Sequence, residues 1–384
     1  MAAKSSVGAD LAGASRLALE AVTGVTELVE AVHMNVLNKA IGTPLVRPVA
    51  GVTSFVYRSI KGVTRLAGSG IDAVLARLVP VLGEPAAWPG REALLAAVNG
   101  VLGDRLAATA NPLAIPITLR HGEPGAPPSG RILVLAHGLC MNDVQWLRDG
   151  VDHGVTLAEQ RGYTALYLRY NSGRHISENG REFAQHLQAL VEGWPVPVTE
   201  LVIVGHSMGG LVARSACHYG AQAEHDWLAR LSKIVFLGTP HHGAPLERGG
   251  NWVHLLTDLS VYSAPFSRLA KIRSAGITDL RHGSVLDDDW DGHDRFAHGV
   301  PLPQMVALPP GVQCFAIGAT VGKREGDLAD RLLAGDGLVP LASALAEHAD
   351  GARTLGMQRH VVYQTNHMQL LSSPEVSERL LAWL

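Results

Sequence analysis

Cysteine is scarce: only Cys140, Cys217 and Cys314 occur in 384 residues, an odd and widely spaced set. Such a set provides neither a disulfide framework nor a zinc cluster, and it points to a reducing, cytoplasmic compartment. Excess positive charge is missing too. A net charge of −3 and a pI near 6.6 leave no electrostatic footprint for nucleic acid, so no such partner is expected. Long apolar runs are also lacking. Lys4, Asp10, Arg16, Glu20 and Glu27 interrupt residues 1–28, which therefore do not read as a signal peptide. The uncharged stretch 296–322 is broken by Pro301, Pro303, Pro309 and Pro310, which argues against a membrane span.

With 47% hydrophobic and 17% charged residues, the chain has enough apolar material for a globular catalytic domain plus an appendage. From about residue 17 to 106, apolar residues recur at helical spacing. Examples are Val22, Val25, Val29, Val32 and Val36, then Phe55, Val56, Ile60, Val63 and Leu66. Residues 1–110 are thus expected to be a helical region, with two roles open to it. One is a packing appendage; the other is a membrane-surface or substrate-gating element.

After Asn111 short strand-like runs alternate with helical segments, which predicts an α/β domain over 111–384: a mostly parallel sheet with helices on both faces. Residues 115–120 are expected to pair with 131–136 across the Gly/Pro-rich stretch 122–130. Strands are expected near 165–170, 201–204, 233–237, 312–319 and 360–363, with helices over 182–191 and 208–219. A last helix is expected to be capped by Ser373 with Pro374 at its first position. Between about 243 and 310 the strand rhythm stops, as expected of an inserted lid.

The run Leu201-Val202-Ile203-Val204 leads directly into Gly205-His206-Ser207-Met208-Gly209. Strand, Gly-x-Ser-x-Gly, helix is the order of a nucleophile elbow. A serine raised on so sharp a bend leaves no room for a Cβ two positions before or after it. The bare pattern would arise by chance roughly once in four chains of this composition, so other residues must support it.

A serine hydroxyl needs a histidine to take its proton and a carboxylate to hold that histidine in the right tautomer. Behind an elbow the chain order is serine, acid, histidine. Asp336, between Gly335 and Gly337, and His367, between the last strand and the last helix, supply it. Their competitors are Asp327, Asp330 and Asp350 among acids and His348 and His360 among histidines, all in less suitable surroundings. The oxyanion would be stabilised by two backbone amides worth roughly 3 kcal/mol each. They are expected from Met208 and from Leu139, the latter in the loop His137-Gly138-Leu139 after an early strand. Cys140 reads as a small buried hydrophobe rather than a nucleophile.

Together these segments, with Leu237-Gly238-Thr239-Pro240-His241-His242-Gly243, resemble the α/β-hydrolase superfamily, and within it the lipase and esterase branch, including lipases similar to GPI-inositol deacylases. The resemblance covers about 113–384. It implies Ser207 as nucleophile, Asp336 as acid, His367 as base, and Leu139 with Met208 as oxyanion donors. His137, His206, His241 and His175 are expected at the substrate, although residues 239–243 could equally form a tight structural turn and His175 a pocket wall.

Calcium-dependent lipases carry a ligand aspartate soon after the catalytic histidine, where this chain has Met368, Gln369 and Leu370. Asp287-x-Asp289-x-Asp291-Gly292 imitates half of an EF-hand loop, but its twelfth position is His298, which favours a solvated acidic loop. Neither metal nor cofactor is expected. The reading is hydrolysis of a carboxylic ester, small or lipid, with an aliphatic acyl group favoured by the lid and by the low aromatic content of 5%. Acyl transfer or thioester cleavage would use the same triad, and a non-catalytic membrane or protein scaffold is the alternative from another class. The oligomeric state is not set by the sequence.

Overall fold

The computed structural model describes residues 91–111, 113–122, 125–244, 274–292, 302–324 and 335–384. The helices expected before residue 91, the greater part of the expected lid, Asp327, Asp330 and His298 lie outside the described residues.

Among the described residues seven strands form one sheet: β1 (Thr118–His121), β2 (Arg131–Ala136), β3 (Thr164–Arg169), β4 (Glu200–His206), β5 (Leu231–Leu237), β6 (Gln313–Thr320) and β7 (Gln358–Tyr363). Their order is β1-β3-β2-β4-β5-β6-β7. β1 runs antiparallel to β3 and every other pair is parallel. The hairpin expected between residues 115–120 and 131–136 is therefore not formed. β2 already has β3 on one side and β4 on the other, both parallel, so its hydrogen-bonding edges are taken. The first strand reaches the open edge of β3 instead, so β3 lies between β1 and β2.

The central strands are buried on both faces, as parallel strands covered by helices must be, and this is why 132–136, 201–204 and 234–237 read as unbroken apolar runs. The helices are α1 (Arg91–Ala108), α2 (His153–Arg161), α3 (Ile176–Gly193), α4 (Met208–Gln222), α5 (Ala275–His282), α6 (Leu341–Ala344) and α7 (Pro374–Trp383). α3 has one apolar face. Phe183 and Leu187 on it are fully buried against α4 and contribute roughly 2 kcal/mol each. α4 lies between α3 and the sheet and is buried nearly all round through Cys217.

The sequence pattern does not predict α2, which carries Gly154, Thr156 and few apolar residues. Local signals make it nonetheless. Asp152 caps its first turn through the amides of Gly154 and Val155, and Gly162 closes it at φ 71°. Ser373 stands at the N-cap of α7 with Pro374 next, but its hydroxyl makes no capping bond.

α1 belongs to the same core as the sheet. Leu95, Val98, Val101, Leu102 and Leu106 are buried in the cluster that holds β2 and β4. The last helix of the expected N-terminal region is thus structurally part of the α/β domain. Among the described residues no helix is long and apolar enough to cross a membrane.

Candidate active site

β4 delivers Ser207 at the carboxyl end of the sheet and α4 begins with the next residue. Ser207 has φ 55° and ψ −122°, a conformation costly for a residue with a side chain. Two hydrogen bonds hold it there: its amide donates to the Leu237 carbonyl at 2.8 Å, and the Gly210 amide donates to the Ser207 carbonyl at 3.1 Å. The flanking glycines have separate reasons. A Cβ on Gly205 would meet the Gly210 nitrogen at 2.5 Å, and a Cβ on Gly209 would meet the Ala136 carbonyl oxygen at 2.2 Å. One glycine makes room for the helix and the other for β2.

His367 follows β7. Its Nδ1 lies 2.6 Å from Asp336 Oδ2, and its amide donates to the Asp336 carbonyl at 3.0 Å. Both side chains are almost wholly removed from solvent. Asp336 Oδ1 accepts from the amides of Leu338 at 2.9 Å and Val339 at 2.8 Å, so both oxygens are engaged. Because a carboxylate only accepts, the proton sits on His367 Nδ1 and the Nε2 lone pair is left free for a donor.

Ser207 and His367 line one narrow cavity, together with Gly138, Leu139, Met141, His206, Ala244, Leu280, Leu338, Val339 and Met368. Its volume of about 10 Å³ is room for roughly one water. Among the described residues no hydrogen bond joins Ser207 to His367, a contact that commonly tightens only when substrate is bound.

Residues 138–141 form a turn closed by the Met141 amide donating to the Gly138 carbonyl at 3.3 Å. Within it Cys140, at φ 58°, donates its amide to Ser172 Oγ at 3.0 Å. The Leu139 and Met208 amides have no acceptor among the described residues. These are the two donors expected for the oxyanion.

Of the four histidines expected at the substrate, only His206 reaches the cavity. Its ring lies 4.7 Å from that of His367, and its Nε2 is 3.2 Å from the His367 carbonyl oxygen. Burial and the neighbouring His367 hold it neutral, well below the usual imidazole range. His137 is fully buried behind the turn 138–141. It stacks on Tyr170 at 4.2 Å, with burial lowering its pKa to about 4. His241 is buried edge-on to Phe236 and beside Arg214, and burial followed by that guanidinium drives its pKa well below the ordinary value. His175 pairs with the buried Asp279 at 3.0 Å and stacks on Trp290 at 3.7 Å, fastening α5 to the start of α3. All three pack outside the cavity, beside or within chain reversals whose side-chain direction the sequence does not encode.

Residues 239–243 form a turn, with the Gly243 amide donating to the Pro240 carbonyl at 3.0 Å, and the cavity wall begins only at Ala244. Asn171 and Ser172, just past the end of β3, lie behind the turn 138–141. Cys140 is buried and its thiol is pushed up to about 12 by desolvation, unlike a nucleophile. In the acidic loop Asp287 pairs with Arg181, and Asp289 accepts from the amides of Val285, Leu286 and Gln304. The wall residues Met141, Leu280 and Met368 were not legible beforehand, since an apolar side chain carries no mark of facing a cavity rather than the core.

Residues 128–305 match the family described as PGAP1-like alpha/beta domain. Among solved structures, the chain is similar to the mature lipase BlEst2 of Bacillus licheniformis. Identity is 17% and the TM-score 0.42, over 69% of this chain and 97% of that one. An esterase of Pyrobaculum calidifontis is 14% identical with a TM-score of 0.41, over 70% of this chain and 78% of that one. The Pyrococcus furiosus esterase Pf2001 is 13% identical with a TM-score of 0.40, over 71% and 85%. No curated protein matches the chain.

Proposed function

We propose that this chain, an α/β-hydrolase of the lipase and esterase branch with a PGAP1-like alpha/beta domain, cleaves carboxylic esters through an acyl-enzyme on Ser207. The observation that carries the reading is the juxtaposition around one cavity of a strained serine and a histidine anchored by a fully engaged, buried aspartate. Ser207 Oγ attacks the ester carbon while His367 Nε2 takes its proton. The negative charge that develops on the carbonyl oxygen is met by the Leu139 and Met208 amides. The C–O bond to the alcohol then breaks and the alkoxide leaves with the proton from His367. Water, deprotonated by the same nitrogen, attacks the acyl carbon; the bond to Oγ then breaks as His367 returns that proton to Ser207 Oγ, and a carboxylic acid departs.

Leu139, Met141, Ala244, Leu280, Leu338, Val339 and Met368 supply the cavity wall, and these apolar side chains support an aliphatic acyl group. Labelling with a fluorophosphonate tests the mechanism. The wild-type protein is expected to label and Ser207→Ala to remain unlabelled. A wild type that does not react, or equal labelling of both proteins, refutes the reading.

A further inference from the structure

Two glycines interrupt α1, and in a helix interior each costs roughly 1 kcal/mol relative to alanine. Local preference does not explain them; what α1 touches does. A Cβ on Gly100 would meet Cys140 Sγ at 2.2 Å, its Cα at 2.9 Å and its nitrogen at 3.0 Å. A Cβ on Gly103 would meet Asn171 Oδ1 at 1.8 Å. The bare face of the helix is pressed against the back of the turn that presents the Leu139 amide.

Hydrogen bonds fix the contact along its length. Asn142 Nδ2 donates to the Glu92 carbonyl at 2.8 Å, and Asn171 Nδ2 donates to the Gly103 carbonyl at 2.9 Å. The adjoining Ser172 accepts the Cys140 amide, with Cys140 itself held at φ 58°. The same helix grips α5: Ser274 Oγ donates to the Gly100 carbonyl at 2.6 Å, and the Ala275 amide donates to Asp104 Oδ2 at 3.0 Å. α5 in turn places Leu280 in the cavity wall.

We infer that α1 is the brace of the oxyanion loop and that Gly100 is a positioning residue, its missing side chain setting where the Leu139 amide points. The inference rests on the hydrolase reading of Ser207. An oxyanion donor acts only at hydrogen-bond distance from the developing charge, and displacement of a catalytic group by about 1 Å costs on the order of a hundredfold in rate. An added Cβ at residue 100 drives directly against Cys140, one residue from that donor.

The test is steady-state hydrolysis of p-nitrophenyl butyrate by the full chain, with hydrogen exchange followed on the same proteins. Gly100→Ala is expected to lower kcat roughly 30-fold with KM within about threefold, because the ground-state contacts are untouched. Gly100→Ala combined with Cys140→Gly removes the opposing Sγ and frees the φ of residue 140. Because the backbone Cα of residue 140 still stands 2.9 Å from the added Cβ, it is expected to recover part of the loss, raising kcat at least about threefold above Gly100→Ala. Peptides covering 137–142 are expected to exchange faster in Gly100→Ala, and those of β4 and β5 are not. If Gly100→Ala does not fold, Ser172→Ala, which adds no atoms, is expected to lower kcat by about three- to tenfold at constant KM. Unchanged kcat, a loss confined to KM, or unchanged exchange over 137–142 overturns the inference. A wild type that neither labels nor hydrolyses overturns the hydrolase reading instead, and the exchange contrast then decides alone whether Gly100 positions the loop.

Discussion

Asp336 holds His367 in one tautomer because neither of its oxygens can be exchanged for a donor. Oδ1 faces the amides of Leu338 and Val339, and Oδ2 faces His367 Nδ1. In Asp336→Asn the side-chain oxygen must keep the two backbone amides, which turns the new NH2 toward the imidazole. His367 Nδ1 would then have to accept, and the proton would move to Nε2, where Ser207 needs a base. The expected result is a fall in kcat of about three to four orders of magnitude with little change in thermal stability, read from ester hydrolysis and a melting curve. A variant that keeps kcat within about tenfold of wild type would remove Asp336 from the mechanism.

At the scale of elements, the site depends on how closely β2, β4 and α4 approach one another. Gly209 sits where the start of α4 crosses the end of β2, and the atom a side chain would strike is the Ala136 carbonyl oxygen at 2.2 Å, part of a strand paired on both sides. Neither partner can yield cheaply. Gly209→Ala is expected to cost roughly 2–4 kcal/mol in stability, seen as a lower urea midpoint, and to reduce activity by displacing Ser207. An unchanged midpoint would mean that the elbow has slack the geometry denies it. α1 and α5 are elements of the same kind: their contacts with the loops over the sheet, rather than their own propensities, decide where they lie.

For the molecule as a whole, the buried histidines link folding to pH. His137 titrates at about 4 in the folded chain, and His206 and His241 are held well below the usual value, in each case chiefly by burial. Above about pH 6.5 these rings are neutral in both folded and unfolded chains and contribute no pH dependence. As pH falls below that, the unfolded chain binds protons that the folded chain refuses, so stability is lost. His137 costs roughly 2 kcal/mol by pH 5, and His206 and His241 act in the same direction. Urea midpoints are therefore expected to drop steeply between pH 7 and pH 5. A flat profile over that interval would show that the rings are not buried in neutral form.

Much of this arrangement was legible in the sequence, because burial on both faces writes parallel strands as apolar runs and because a nucleophile elbow has no room for a side chain at Gly205 or Gly209. The order of Ser207, Asp336 and His367 along the chain and the loop His137-Gly138-Leu139 follow from the same local rules. By itself, then, the sequence determined the central strands, the helices that follow them and the places of Ser207, Asp336 and His367 along the chain. Only the tertiary structure decided that the first strand joins β3 rather than β2, since edge availability is a property of the assembled sheet. It alone placed His137, His175 and His241 outside the cavity and brought Leu280 to it. It also made Gly100 and Gly103 meaningful, because the need for a missing Cβ arises only where another segment arrives within contact distance.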